Sequence, residues 1–274
     1  MPVLQPPEDD DLYITEDIGE WSKDKHYYLM RYIDAFTNSM KKKRWSSLHY
    51  IDLFAGSGIE RIKETGELEW GSPLIAAQAR YQFASLHLCE RDNKKFEALE
   101  KRVSQYPIDA QLVNGDANEK VGEIISQIPE KALSLAFLDP YGLHLHFETV
   151  RQLASRRTDL ILFFPDQLDM IRNWEAYYYK NNESNLDRFL GDEADWRSTL
   201  LSVPRNKYAD ELLKLYQGQL ASLGYKYFDP KRILMRGRRL YRLIFFCKNP
   251  TGLKLWNNIS LKGPDGQRTF NFSD

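Results

Sequence analysis

Five short apolar runs dominate the chain: LHYIDLF at 48–54, SLHLCE at 85–90, AQLVN at 110–114, SLAFL at 134–138 and LILFF at 160–164. Each is bounded by acids, glycine or proline, and such runs read as strands buried on both faces of a parallel sheet. Parallel neighbours need crossover connections, and stretches of helical spacing at 73–83, 93–106, 117–127 and 147–157 supply them. Ser72 and Pro73 mark one helix start, with a side-chain oxygen at the cap and proline at the first helical position. The pattern therefore predicts a doubly wound α/β fold.

The flanks add detail. Residues 1–20 are proline-rich and acidic and read as a flexible lead, leaving 21–274 as one domain. An amphipathic helix is expected over 21–40, where Tyr28, Leu29, Tyr32, Ile33 and Phe36 recur at helical spacing. Its basic tail at 41–44 suits the negative pole of a helix dipole. The stretch 166–223 is too long for one crossover, so a helical insertion at about 168–205 follows the fifth strand, before a returning helix at 208–223. Two further strand-like runs, 225–235 and 240–248, are joined across Arg236, Gly237, Arg238 and Arg239. Runs this close pair as a hairpin, which makes the last strand antiparallel to an otherwise parallel sheet.

In an open parallel sheet ligands bind beyond the carboxyl ends of the strands. Those ends carry Asp52, Phe54, Gly56 and Gly58 after the first strand, then Glu90 and Arg91, Asp116 and Ala117, and finally Asp139, Pro140 and Tyr141. Gly56 and Gly58 let the backbone turn tightly against a ligand. A dinucleotide fingerprint would need a third glycine where Arg61 stands, and the loop has no basic residue for a pyrophosphate. Asp52 disfavours phosphate and favours a cation, such as an amino acid's ammonium group or a sulfonium. Glu90 is placed to accept ribose hydroxyls, and Asp116 to accept from an adenine amino group. These preferences together describe S-adenosylmethionine.

The ordered set YIDLFAGSGIE, GSPLIAA, CERD, FLDPYGL and LILFFPDQLDMIRN, preceded by KHYYLMRYIDAF, resembles the three-Cys-motif partner (TcmP) family of class I S-adenosylmethionine-dependent methyltransferase-like proteins. That resemblance, over roughly residues 20–250, implies a Rossmann-like methyltransferase sheet and association with a separate three-Cys-motif protein. FLDPYG is also similar to the D-P-P-Y motif of methyltransferases acting on exocyclic amino groups of bases. Carried over, Asp139 accepts from the amino group, Pro140 supplies a carbonyl and Tyr141 stacks on the base. The aromatic arrives one position early here, which bears on the base contact more than on Asp139.

The expectation is N-methylation of a nucleic-acid base, DNA or RNA. Arg236, Arg238 and Arg239 would meet phosphates from a hairpin tip on the cofactor edge, and Trp174, within an aromatic cluster, would either pack or stack on substrate. Competing readings are a small-molecule or protein amine as acceptor, and a non-catalytic partner protein using the fold as a scaffold. Thirty-eight basic against 39 acidic residues give a net charge of −1, so any polyanion must be met locally. Cys89 and Cys247 sit inside apolar runs, and His144 and His146 lack a third ligand, so no metal is expected. With no basic-apolar start and no run of about 18 apolar residues, a soluble cytoplasmic protein without a membrane partner is expected.

Overall fold

The computed structural model describes residues 7, 11–164, 184–191, 195–235 and 238–263, with backbone alone over 232–240. In chain order the elements are β1 (Glu16–Ile18), α1 (Ser22–Met40), β2 (Leu48–Asp52), β3 (Ile59–Ile62), β4 (Leu68–Trp70) and α2 (Ser72–Ala77). Then follow β5 (Ser85–Glu90), α3 (Asn93–Val103), β6 (Ala110–Asn114), α4 (Ala117–Ser126), β7 (Leu133–Leu138), α5 (Phe147–Ala154) and β8 (Thr158–Phe164). The chain closes with α6 (Asn185–Leu190), α7 (Trp196–Leu201), α8 (Tyr208–Ser222), β9 (Tyr227–Met235), β10 (Arg238–Cys247) and α9 (Pro250–Ser260).

Seven strands form the central sheet in the order β6-β5-β2-β7-β8-β10-β9. All run parallel except β10, which is antiparallel to both β8 and β9. The chain winds outward from β2 to β6, then returns to place β7 on the other side of β2. A ligand crevice therefore belongs outside the carboxyl ends of β2 and β7, where the winding reverses. Helices cover both faces. Leu29, Tyr32 and Phe36 of α1 pack with α2, α3 and α9 on one side, while Val121 of α4, Val150 of α5, Phe189 of α6 and Tyr216 of α8 close the other. The near-continuous apolar character of β7, buried at every position, follows from this double cover.

A second sheet, β1-β3-β4, is absent from the sequence expectation. β3 starts immediately after Gly58 and returns through β4 to α2, while β1 pairs parallel with β3. The lead is consequently not loose over residues 11–18. Arg102, buried to 2% exposure, donates to both carboxylate oxygens of Asp11 at 2.6 and 2.8 Å, to the Ile14 carbonyl and to the Ser57 carbonyl. A buried guanidinium needs acceptors for its five N–H groups, and the lead supplies them.

Further departures are local. Gly71 is the N-cap of α2, so Ser72 lies inside the helix, and α2 ends at Ala77, short of 83. Within the expected insertion, α6 starts at a capping box between Ser184 and Asp187, and the Trp196 indole of α7 donates to Asp187 at 2.8 Å. No helix among the described residues is long and apolar enough to cross a membrane. Cys89 and Cys247 are buried thiols.

Candidate active site

The loop after β2 is held from beneath. Gly56 and Gly58 take left-handed φ values of 64° and 86°, which residues with a Cβ adopt only at a cost. Asp52 is fully buried; its carboxylate accepts the Phe54 N–H and the Tyr50 hydroxyl, each at 3.2 Å. Burial pushes its pKa up to about 7 against the opposing hydrogen bonds from Ser72 and Phe54, with Asp139 adding repulsion. Asp52, expected to meet a ligand cation, is 0% exposed and bonded to Tyr50 and to the Phe54 N–H at the start of the glycine loop.

Glu90 ties the neighbouring strand end to that loop. One carboxylate oxygen accepts the Gly56 N–H at 2.9 Å and the other accepts the Asp92 N–H at 2.7 Å. Asp116 caps α4 by accepting the Asn118 N–H at 2.9 Å, with the exposed Arg91 guanidinium 3.6 Å away and Ala117 buried behind it. Asn118 links this corner to the next strand end. Its amide donates to the His144 carbonyl at 2.8 Å, and its oxygen accepts the His146 N–H at 2.9 Å and the Thr149 hydroxyl at 2.7 Å. Asp139, Pro140 and Tyr141 therefore begin a loop stapled to α4. Pro140 is buried, whereas Tyr141 is 90% exposed, its ring stacked near His144 at 6.4 Å between centroids.

Sequence reasoning missed the partner of Asp139. Lys25 of α1, 5% exposed, donates to Asp139 Oδ2 at 2.5 Å, and its ammonium lies 5.6 and 5.8 Å from the ring centres of Trp21 and Phe163. Burial opposes the charge, but Asp139, Glu60 and Glu16 outweigh it and raise the lysine pKa above its ordinary value. Asp139 is thus not a bare acceptor; its other oxygen takes no hydrogen bond among the described residues. A sequence signal existed: position 25 falls on the stripe of Leu29, Tyr32 and Phe36, so its burial follows from helical spacing.

The structure brings Phe54, Gly56, Gly58, Glu90, Arg91, Asp116, Ala117, Asp139, Pro140 and Tyr141 to one edge, above Asp52. At the same edge, Arg242 of β10 pairs with Phe164 of β8, so the backbone of Arg238 and Arg239 runs beyond the end of β8. Arg236 and Trp174 lie outside the described residues. A separate cleft of about 390 Å³ opens at the amino edge, lined by His49, His87 and Asp109, where the two imidazoles bond each other at 3.0 Å. Among the described residues no group of three or more His, Cys, Asp or Glu could hold a metal ion.

No family model and no curated protein matches the chain. Among solved structures, it is similar to the protein LPL1258 from Legionella pneumophila str. Philadelphia 1, of family model DUF519. The TM-score is 0.51 and the identity 12%, over 89% of this chain and 95% of that one. It also matches an O-methyltransferase from Bacillus cereus in complex with SAH (TM-score 0.49, 10% identity, 86% of this chain and 84% of that one). A third is the O-methyltransferase TomG from Streptomyces achromogenes in complex with SAM (TM-score 0.49, 8% identity, 82% and 80%). The first likeness is one of fold.

Proposed function

We propose that the chain is an S-adenosylmethionine-dependent methyltransferase acting on an exocyclic amino nitrogen of a nucleic-acid base. The observation that carries this reading is the gathering of the glycine loop, Glu90, Asp116 and Asp139 outside the carboxyl ends of β2, β5, β6 and β7. The residues present suit the cofactor: glycines at left-handed φ give close backbone approach, Glu90 and Asp116 offer carboxylate acceptors for ribose and adenine, and no basic loop residue calls for phosphate. S-Adenosylmethionine, when bound, supplies a methyl group on positively charged sulfur.

The protein's own work is alignment and exclusion of water, and alignment alone contributes about 7–11 kcal/mol in well-oriented systems. Asp139 accepts an N–H of the acceptor amine, orienting the nitrogen lone pair, and takes the proton released from nitrogen. Lys25 holds the other oxygen of the same carboxylate and so fixes its direction. Tyr141, exposed beside this loop, offers a ring for stacking. The backbone of Arg238 and Arg239, which runs beyond β8, supports a phosphate-bearing substrate.

A second reading takes an aliphatic amine as acceptor, and one observation favours it: an ammonium group, that of Lys25, already sits at Asp139 beside the Trp21 and Phe163 rings. Incubation of the purified protein with methyl-labelled cofactor and separated cellular DNA, RNA, protein and small metabolites tests both. Label in nucleic acid supports the first reading; label confined to protein or metabolites selects the second; no label in any fraction removes catalysis. The partnership with a three-Cys-motif protein is supported by the family resemblance, and co-purification of the pair tests it.

A further inference from the structure

The small sheet over the glycine loop sets two carboxylates side by side. In the parallel pairing of β1 with β3, Glu16 stands directly opposite Glu60, an arrangement that ordinarily destabilises a sheet. Neither acid is washed by solvent, with side-chain exposures of 27% and 12%. Glu16 is paired with Lys95, and its other oxygen lies where a Cβ on Gly56 would stand, directly against the loop. Glu60 is less satisfied. Its Oε2 is buried without a hydrogen bond, and the nearest basic ring, His26, is 6% exposed, has no hydrogen-bond partner at either nitrogen and aims Nε2 at that oxygen from 3.6 Å. Burial and the adjacent Lys25 drive the His26 pKa well below its ordinary value, so the imidazole is neutral and does not balance the acid. With Asp52, Glu90 and Asp139, five acids meet two ammonium groups, Lys25 and Lys95, around one loop. Burial raises the pKa of both Glu60 and Asp52 to about 7, and a cation arriving beside Glu60 favours its charged form.

We propose that Glu16 and Glu60 form the seat of the ammonium group at the cofactor's amino-acid end, one acid brought by the lead strand and the other by the hairpin inserted after the glycine loop. This rests on the methyltransferase reading given above and adds to it the residues that recognise the charged end. The adenosine end is left to Glu90 and Asp116, at the ends of β5 and β6. The β1-β3-β4 sheet then has a purpose: it carries two counter-charges that the central sheet alone does not supply.

Calorimetric titration of the full chain separates the ends of the ligand with two probes, S-adenosylmethionine and 5′-methylthioadenosine, which lacks both the amino-acid end and the sulfonium charge; S-adenosylhomocysteine, neutral at sulfur but keeping the amino-acid end, should follow S-adenosylmethionine in every variant. Removing both charges with Glu16→Gln and Glu60→Gln together is expected to weaken S-adenosylmethionine at least about tenfold, the scale of a hydrogen bond to a charged group, with each single change giving part of the loss. Methylthioadenosine affinity should stay within about twofold of wild type, which also shows that the variant is folded. Unchanged S-adenosylmethionine affinity in the double variant overturns the assignment while leaving the cofactor reading intact. Equal loss of both ligands also overturns it, because charge recognition is then not the cause. A wild-type chain that binds neither probe overturns the underlying reading together with this one.

Discussion

Substituting Lys25 by Met tests the buried pair at the centre of the site. The ammonium is 5% exposed and is the hydrogen-bond partner of Asp139 among the described residues, while the Met side chain keeps most of the apolar stem between Trp21 and Phe163. Removing one partner of a buried ion pair costs about 3–5 kcal/mol. The Asp139 side chain retains 19% exposure, so water relieves part of the loss and the low end, about 3 kcal/mol, applies. Loss of the cation–π contacts adds about 1 kcal/mol. The sum, about 4 kcal/mol, corresponds to a fall in Tm of about 8–16 °C at 2–4 °C per kcal/mol for a chain of this size. Because Lys25 has a raised pKa in the folded state, this contribution is full below the ordinary lysine range and is lost only in strongly alkaline solution. Urea unfolding followed by circular dichroism at neutral pH measures it. The double variant Lys25→Met with Asp139→Leu should recover to within about 1 kcal/mol of wild type, since no charge is stranded. A single variant that loses less than about 1 kcal/mol, or a double variant as unstable as the sum of its parts, refutes this account of the pair.

Other expectations follow from the same geometry. Asp139→Asn should abolish methyl transfer while the affinity for S-adenosylmethionine, read by calorimetry, changes little; retained turnover removes Asp139 from the chemistry. Gly56→Ala forces a Cβ into a left-handed turn and onto the Glu16 carboxylate, so it should cost about 1–2 kcal/mol of stability from the backbone alone and abolish cofactor binding. Asp159, buried beside the Tyr32 hydroxyl at 3.3 Å, has its pKa pushed up to about 7 by burial. The folded state therefore holds a proton that the unfolded state has released between about pH 4 and 7, and stability declines as pH rises through that window. Asp159→Asn should flatten that part of the profile and raise stability at pH 8, as read by urea midpoints; an unchanged slope would show that Asp159 is charged when folded.

The central sheet was readable because strands covered on both faces carry apolar residues at consecutive positions: β5 coincides with the run SLHLCE and β7 contains SLAFL. Strand-end acids were readable for the same reason, since the end of a buried run is where a charge first becomes tolerable. The small sheet was not. β3 is IERI and β4 is LEW, too short and too polar to stand out, and β1 lies in a lead whose acidic composition resembles a solvated tail. What holds that tail are long-range contacts: the pairing of β1 with β3, Glu16 with Lys95, and Arg102 with Asp11 across 91 positions. Asp52 was identified by position, but sequence shows only that an acid sits at a strand end and not that Tyr50 and the Phe54 N–H engage it. Lys25 lay in plain view on an apolar helical stripe; its partner, 114 residues away, did not.

The most direct test is a crystal structure of the chain grown with S-adenosylmethionine. The nucleoside should span Glu90 and Asp116, with the sulfur near the glycine loop and its methyl group directed toward Asp139. A cofactor lodged instead in the amino-edge cleft beside His49 and His87, or none bound at saturating concentration, would contradict the account.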